Sequence, residues 1–201
     1  MAVLGDLLFY RRDMVGLGDV LRHQIDQLRG KVDALPDKLF RDKSDAEIAA
    51  QIASEQAIAP LVTDFAAATA SVRETEVEVH DQFGFNRGPI RVAGLEATKS
   101  IPFTGDPELW RLHPNSWSSN PPRGDVRRDK LVIGMTVPAQ QADQAAQYIE
   151  QTVAQLPDII ARQKALIDQH NASIAAQAMP WIQARRQRLG TASDLLKKLG
   201  G

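Results

Sequence analysis

The residues of this chain with the most chemical potential are a His80-Asp81 doublet, a glutamate ladder and a turn rich in arginine. On a helix, a His-Asp doublet supplies two metal ligands in metal-dependent phosphohydrolases. Here it closes the alternating stretch Glu76-Val77-Glu78-Val79, so a strand end is expected, with Asp81 bonding nearby backbone. The other histidines are His23, His113 and His170, and neither His-x-x-x-His nor His-Glu-x-x-His occurs. A metal-dependent hydrolase using His80 and Asp81 is therefore a second alternative, and no metal or cofactor is expected.

Glu74, Glu76 and Glu78 share one strand face. Three carboxylates there can bind a cation, but a solvated surface that resists edge aggregation is the simpler reading. Glu96 and Lys99 are separated by two residues where a nuclease Asp/Glu-x-Lys has one, which turns the side chains to opposite faces. Asp125 to Lys130 is the other stretch with nuclease-like residue types. Serine-hydrolase and P-loop motifs are absent, and Gly16-Leu17-Gly18 lacks the third glycine and preceding strand of a dinucleotide site. No catalytic set can be assembled.

Aromatic side chains gather at Phe83, Phe85, Phe103, Trp110 and Trp117, with Arg111 and His113 among them. They read as a local core under a proline-rich loop, with a groove for a peptide or small ligand as the alternative. Trp110 is expected inside. Trp117, between Asn115-Ser116 and Ser118-Ser119, is placed for exposure. Trp117, Arg111, His113 and Arg123 are thus the candidate partner-binding residues. Arg185, Arg186 and Arg188 are the candidate phosphate contacts, weighed against a solvated helix face or a favourable helix C-terminus.

The chain has 201 residues, no cysteine, 24 basic and 25 acidic residues, and a net charge of −1. Disulfides and thiolate chemistry are excluded, a cytoplasmic setting is expected, and nothing draws the whole molecule to nucleic acid or anionic lipid. The apolar run Leu7 to Tyr10 is cut by Arg11-Arg12-Asp13, too short for a signal peptide. With no stretch of ~18 apolar residues, no membrane association is expected.

These residues must be held by helices at both ends and a β-rich middle. Met14, Leu17, Leu21, Ile25, Leu28, Val32 and Leu35 form a helical stripe ended by Pro36. Ser44 and Glu47 form a capping box for a second helix, with Ile48 and Ile52 inward. Strands are expected at Glu74–His80, Ile90–Phe103 and Lys130–Val137, with a long ordered loop over 104–128. Ala146, Ile149, Val153, Leu156, Ile160, Gln163, Ile167, His170 and Ile174 follow a three-four alternation, a coiled-coil type seam with two polar interruptions. Pro157 and Pro180 should kink that helix.

The expected fold is a single α+β domain over 1–201. Residues 1–58 are helical, 72–137 form a β-rich insert of about three antiparallel strands, and 139–199 form a long kinked helix. The terminal helices pack as a coiled-coil-like hairpin. The seam implies a homo-oligomer.

Pro102-Phe103-Thr104-Gly105-Asp106-Pro107, followed by His113-Pro114-Asn115-Ser116-Trp117 and Asn120-Pro121-Pro122-Arg123-Gly124, resembles a pattern in uncharacterised bacterial cytoplasmic proteins. There the block follows an alternating strand and precedes another strand and a helix ending in an arginine-rich turn. The resemblance implies the front half of a longer, defence-associated chain acting in assembly, sensing or scaffolding, and it brings no catalytic residues. The function expected is a non-catalytic interaction or oligomerisation module with a protein partner. The first alternative is a nucleic-acid-binding accessory protein using the basic C-terminal turn.

Overall fold

Ile101, Leu131, Ile133 and Val137 are all fully buried, and the two strands that carry them form the centre of an antiparallel sheet. The computed structural model describes residues 1–13, 15–80, 89–114 and 120–200. In chain order its elements are β1 (Ala2–Val3), β2 (Asp6–Leu7), α1 (Leu17–Asp33), α2 (Asp37–Asp42), α3 (Asp45–Gln56), β3 (Val62–Thr63), β4 (Thr69–His80), β5 (Pro89–Thr104), a 3-10 turn (Pro107–Arg111), β6 (Arg123–Arg127), β7 (Lys130–Pro138), a second 3-10 turn (Ala139–Gln141) and α4 (Ala142–Lys198). Among the described residues, no helix is long and apolar enough to cross a membrane.

The chain divides into two compact units. One comprises Met1–Leu17 and Pro60–Lys164, the other Gly18–Ala59 and Ala165–Gly201.

In the first unit the sheet has seven strands, in the order β2-β6-β7-β5-β3, with β1 paired to β7 and β4 to β5. This corrects the expected sheet of about three strands. β4, β5 and β7 were legible because each carries a sustained alternating or apolar run. β1, β2 and β3 are two residues each, too short to show a period of two, and they are strands only through distant partners. β6 lies in the stretch expected to be loop, behind Pro121-Pro122.

The turn after β5 follows its chemistry. Gly105 has φ +104, and a Cβ there would lie 2.2 Å from the Pro60 carbonyl oxygen. The Asp106 carboxylate accepts from the Glu108 N–H at 2.9 Å, starting the 3-10 turn that buries Leu109 and Trp110.

In the second unit the expected capping box is present. The Ser44 hydroxyl accepts from the Glu47 N–H, and the Glu47 carboxylate accepts from the Ser44 N–H. Leu28 and Val32 of α1, Phe40 of α2, and Ile48, Ala49 and Ile52 of α3 share one core with Ile174, Ala178 and Ile182 of α4. That overturns the helical hairpin: α4 meets three helices here, and its preceding stretch belongs to the sheet unit. The seam itself is also displaced. The buried residues run Ala145, Ile149, Thr152, Leu156, Ile160, Gln163, Ile167, His170, Ile174, Ala178 and Ile182. Ten steps cover 37 residues, about 3.7 per step, the period of an ordinary helix rather than the 3.5 of a left-handed coiled coil. Pro157 and Pro180 fall on the exposed side of α4, which continues through both.

Gln163 and His170, the two polar residues expected in the seam, are hydrogen-bonding points. In the sheet unit the Gln163 amide donates to the Leu109 carbonyl at 2.9 Å and to that of Leu112. In the helical unit the Gln24 amide donates to the Gln56 carbonyl at 2.8 Å, so the Gln24 oxygen accepts from His170 Nε2 at 2.6 Å. Burial holds His170 below the usual histidine range. Its contribution to stability is therefore complete above the unfolded pKa of about 6.5 and is lost as pH falls through the lower folded value. The denaturant midpoint should fall between about pH 7.5 and pH 5.5, and His170→Gln should flatten that portion of the profile.

Candidate interaction site

The N-terminal segment is held across the sheet unit by distant partners. β2 pairs with β6 through Asp6↔Gly124 and Leu7↔Arg123. The Leu8 N–H then donates to the Pro122 carbonyl at 2.7 Å and the Phe9 N–H to the Trp110 carbonyl at 2.5 Å. Phe9 is 5% exposed with φ 54, the left-handed region that a bulky side chain rarely adopts. Its packing explains why that cost is tolerated. The Phe9 ring lies 5.5 Å from Trp110, and the Phe103 ring meets Trp110 edge-on at 5.4 Å.

This arrangement leaves a cavity of about 200 Å³. Phe9 and Tyr10 line one side, and His113, Pro114, Pro121 and Pro122 another. Asp158, Ile159 and Arg162 close it from α4. His113 Nδ1–H donates to the Pro114 carbonyl at 2.9 Å, and the His113 carbonyl accepts the Leu17 N–H at 3.0 Å. Gly16 makes that contact sterically possible, because a Cβ there would sit 2.7 Å from the imidazole Cε1.

Tyr10 also lines a second, more open cleft of about 700 Å³ bearing Arg11, Arg12, Arg111 and Arg123. Asp6, Asp13 and Glu108 stand among them. Arg11 pairs with Asp13 at 2.7 Å and Arg111 with Glu108 at 3.4 Å, while Arg123 donates to the Gly5 carbonyl at 3.4 Å. Hydrogen bonds from the Arg11 side chain, then from the Val15 N–H, hold the Asp13 carboxyl below its ordinary range. A third hollow of about 280 Å³ shares Leu7 and Arg123 with this cleft, and Pro121, Pro122 and Gln155 with the cavity.

Arg111 and Arg123 are thus brought to one cleft, and His113 to the adjoining cavity. Trp117, Phe83, Phe85 and Asp81 lie outside the described residues, while His80 ends β4. Phe103 and Trp110 are core residues. Tyr10, Arg11 and Arg12 escaped the sequence reading, where Tyr10 counted only as part of an apolar run and the two arginines as its end. Nothing local marks them, because their role depends on the pairing of Leu7 and Leu8 some 115 residues away.

The arginine-rich turn lies in the helical unit, facing protein acceptors. Arg185 donates to the carbonyls of Asp33 (2.5 Å) and Leu35 (2.8 Å) and to the Asp37 carboxylate (3.0 Å). Arg186 donates to the Asp45 carboxylate at 2.5 Å, the Lys43 carbonyl at 2.7 Å and the Phe40 carbonyl. Arg188 donates to the Asp33 carboxylate. Both leading guanidinium groups also stack on Phe40, at 5.3 and 5.7 Å. They close the C-terminal ends of α1 and α2, whose last carbonyls have no partner within their own helices.

Among the described residues, no three His, Asp or Glu side chains are grouped to hold a metal ion. Comparison with protein-family models, with curated proteins and with solved structures returned no match.

Proposed function

We propose that this protein is a non-catalytic interaction module that takes a segment of a protein partner, an apolar side chain flanked by carboxylates. One observation carries the reading: Tyr10 lines both the aromatic and proline-walled cavity and the cleft with four arginines. An apolar anchor fits the first, and acidic neighbours find charge-assisted hydrogen bonds in the second. The strained backbone of Phe9, at the lip of the cavity, supports a binding role for the place where the cost is met. The engagement of Arg185 and Arg186 by backbone carbonyls favours a protein partner over nucleic acid. The lack of cysteine fits a reducing compartment such as the cytoplasm.

A random peptide library panned against the full chain tests the proposal. Enriched peptides should carry Asp or Glu beside a large apolar residue. Enrichment should vanish with Arg111→Glu and Arg123→Glu together and persist with Arg22→Glu, on an exposed site of α1. Enrichment unaffected by the double substitution, or no enrichment at all, would overturn it.

A further inference from the structure

β4 is paired along one edge. Among the described residues its ladder partners all belong to β5, from Thr69↔Ser100 to His80↔Pro89. A strand of this length runs for about 40 Å. On its other edge every second residue points its N–H and C=O groups away from the sheet, a template for a further strand. Every residue from Thr69 to Glu74 is exposed, and Val72 keeps 63% of its surface in solvent.

The side chains at that edge carry a pattern. Val72, Glu74, Glu76 and Glu78 alternate onto one face, while Val77 on the other is buried. β5 offers this face a single arginine, Arg91, which lies 3.6 Å from Glu76 and 3.5 Å from Glu78. Glu74 stands opposite Leu95. Among the described residues Arg91 alone is paired with these carboxylates, so a strand added on the open side can bring further positive charge to them. Two-fold pairing of this edge with the same edge of a second copy does not supply it. In an antiparallel two-fold pairing, opposed residues come from the same face, so registers that overlap the acidic half set glutamate against glutamate.

We propose that the free edge of β4 docks an extended basic segment of a partner protein. The segment adds as a strand, with Lys or Arg at alternate positions facing Glu74, Glu76 and Glu78 and an apolar residue against Val72. Backbone hydrogen bonds supply the attachment, and the alternating cations select the partner. This surface is independent of the cavity and cleft, and the proposal stands or falls apart from the reading above.

The full chain is titrated with a labelled peptide of sequence Thr-Lys-Thr-Lys-Thr-Lys-Thr-Val-Thr, which in antiparallel register sets its lysines against Glu78, Glu76 and Glu74 and its valine against Val72. Three comparison peptides are used: one with Glu for Lys, one with its lysines contiguous, and one N-methylated at alternate backbone nitrogens. The alternating Lys peptide should bind saturably and slow amide exchange within Thr69–Glu78. N-methylation should weaken it at least about ten-fold, since it removes the strand's donors. The variant E74K/E76K/E78K should lose this peptide and gain the Glu peptide. Equal affinity for the N-methylated or contiguous peptides would reduce the effect to charge attraction and overturn the proposal. So would the absence of saturation below about 1 mM. A dimer of the free chain with exchange protection over Thr69–Glu78 would assign the edge to a second copy instead.

Discussion

Trp110→Ala is expected to lower the unfolding free energy by about 3–5 kcal/mol, the largest effect of any single substitution considered for the sheet unit. Trp110 has no exposed surface and packs against the rings of Phe9 and Phe103. Its carbonyl accepts the Phe9 N–H, so truncation empties the space against which the strained Phe9 backbone is held. The indole N–H is buried without a hydrogen-bond partner among the described residues. Trp110→Phe therefore gives up volume but no hydrogen bond, and should cost only about 1–2 kcal/mol. Chemical unfolding followed by circular dichroism separates the two variants. Similar small losses for both would mean that the Phe9 and Phe103 rings close over the space unaided.

Those two aromatic neighbours also show what a sequence can carry. Phe103 and Trp110 were legible as core because they flank a turn whose residues, Gly105 and Asp106, specify its geometry locally. The Ser44 capping box and the long strands β4, β5 and β7 were legible for the same reason: each is encoded within a few residues. What was missed is non-local. β1 and β2 exist because β7 and β6 come to meet them, and no period can be read from two residues. The seam of α4 was misplaced where apolar choices were ambiguous. Ala146 and Val153 suited a heptad, but Ala145 and Thr152 are the buried residues. Half of the arginine cleft was visible as Arg111 and Arg123. Arg11 and Arg12 join it only through the pairing of the N-terminal segment with β6 and Pro122.

Replacing Arg185 and Arg186 together with glutamine should destabilise the helical unit by about 2–4 kcal/mol. Hydrogen bonds to charged groups contribute roughly 1.5–3 kcal/mol each where buried, and partial exposure lowers that figure. Arg185 has 17% of its side chain exposed and Arg186 37%, so solvent only partly compensates for their loss. The carbonyls of Asp33, Leu35, Phe40 and Lys43 would lose their donors together. Glutamine is too short to reach from α4 to both helix ends, and it removes the cations stacked on Phe40. Arg188→Gln alone should cost less than about 1 kcal/mol, because its contact with Asp33 is a more exposed ion pair. Denaturant unfolding monitored at Trp181, in α4, measures each loss directly. The competing role for these arginines predicts the opposite combination. If they serve phosphates, the double variant keeps its stability and the unsubstituted chain binds duplex DNA with steep salt dependence, which the substitutions flatten. A stable double variant with that salt response would return the arginine turn to nucleic acid; a destabilised one, from a chain that binds no DNA near physiological salt, makes it the clamp that closes α1 and α2.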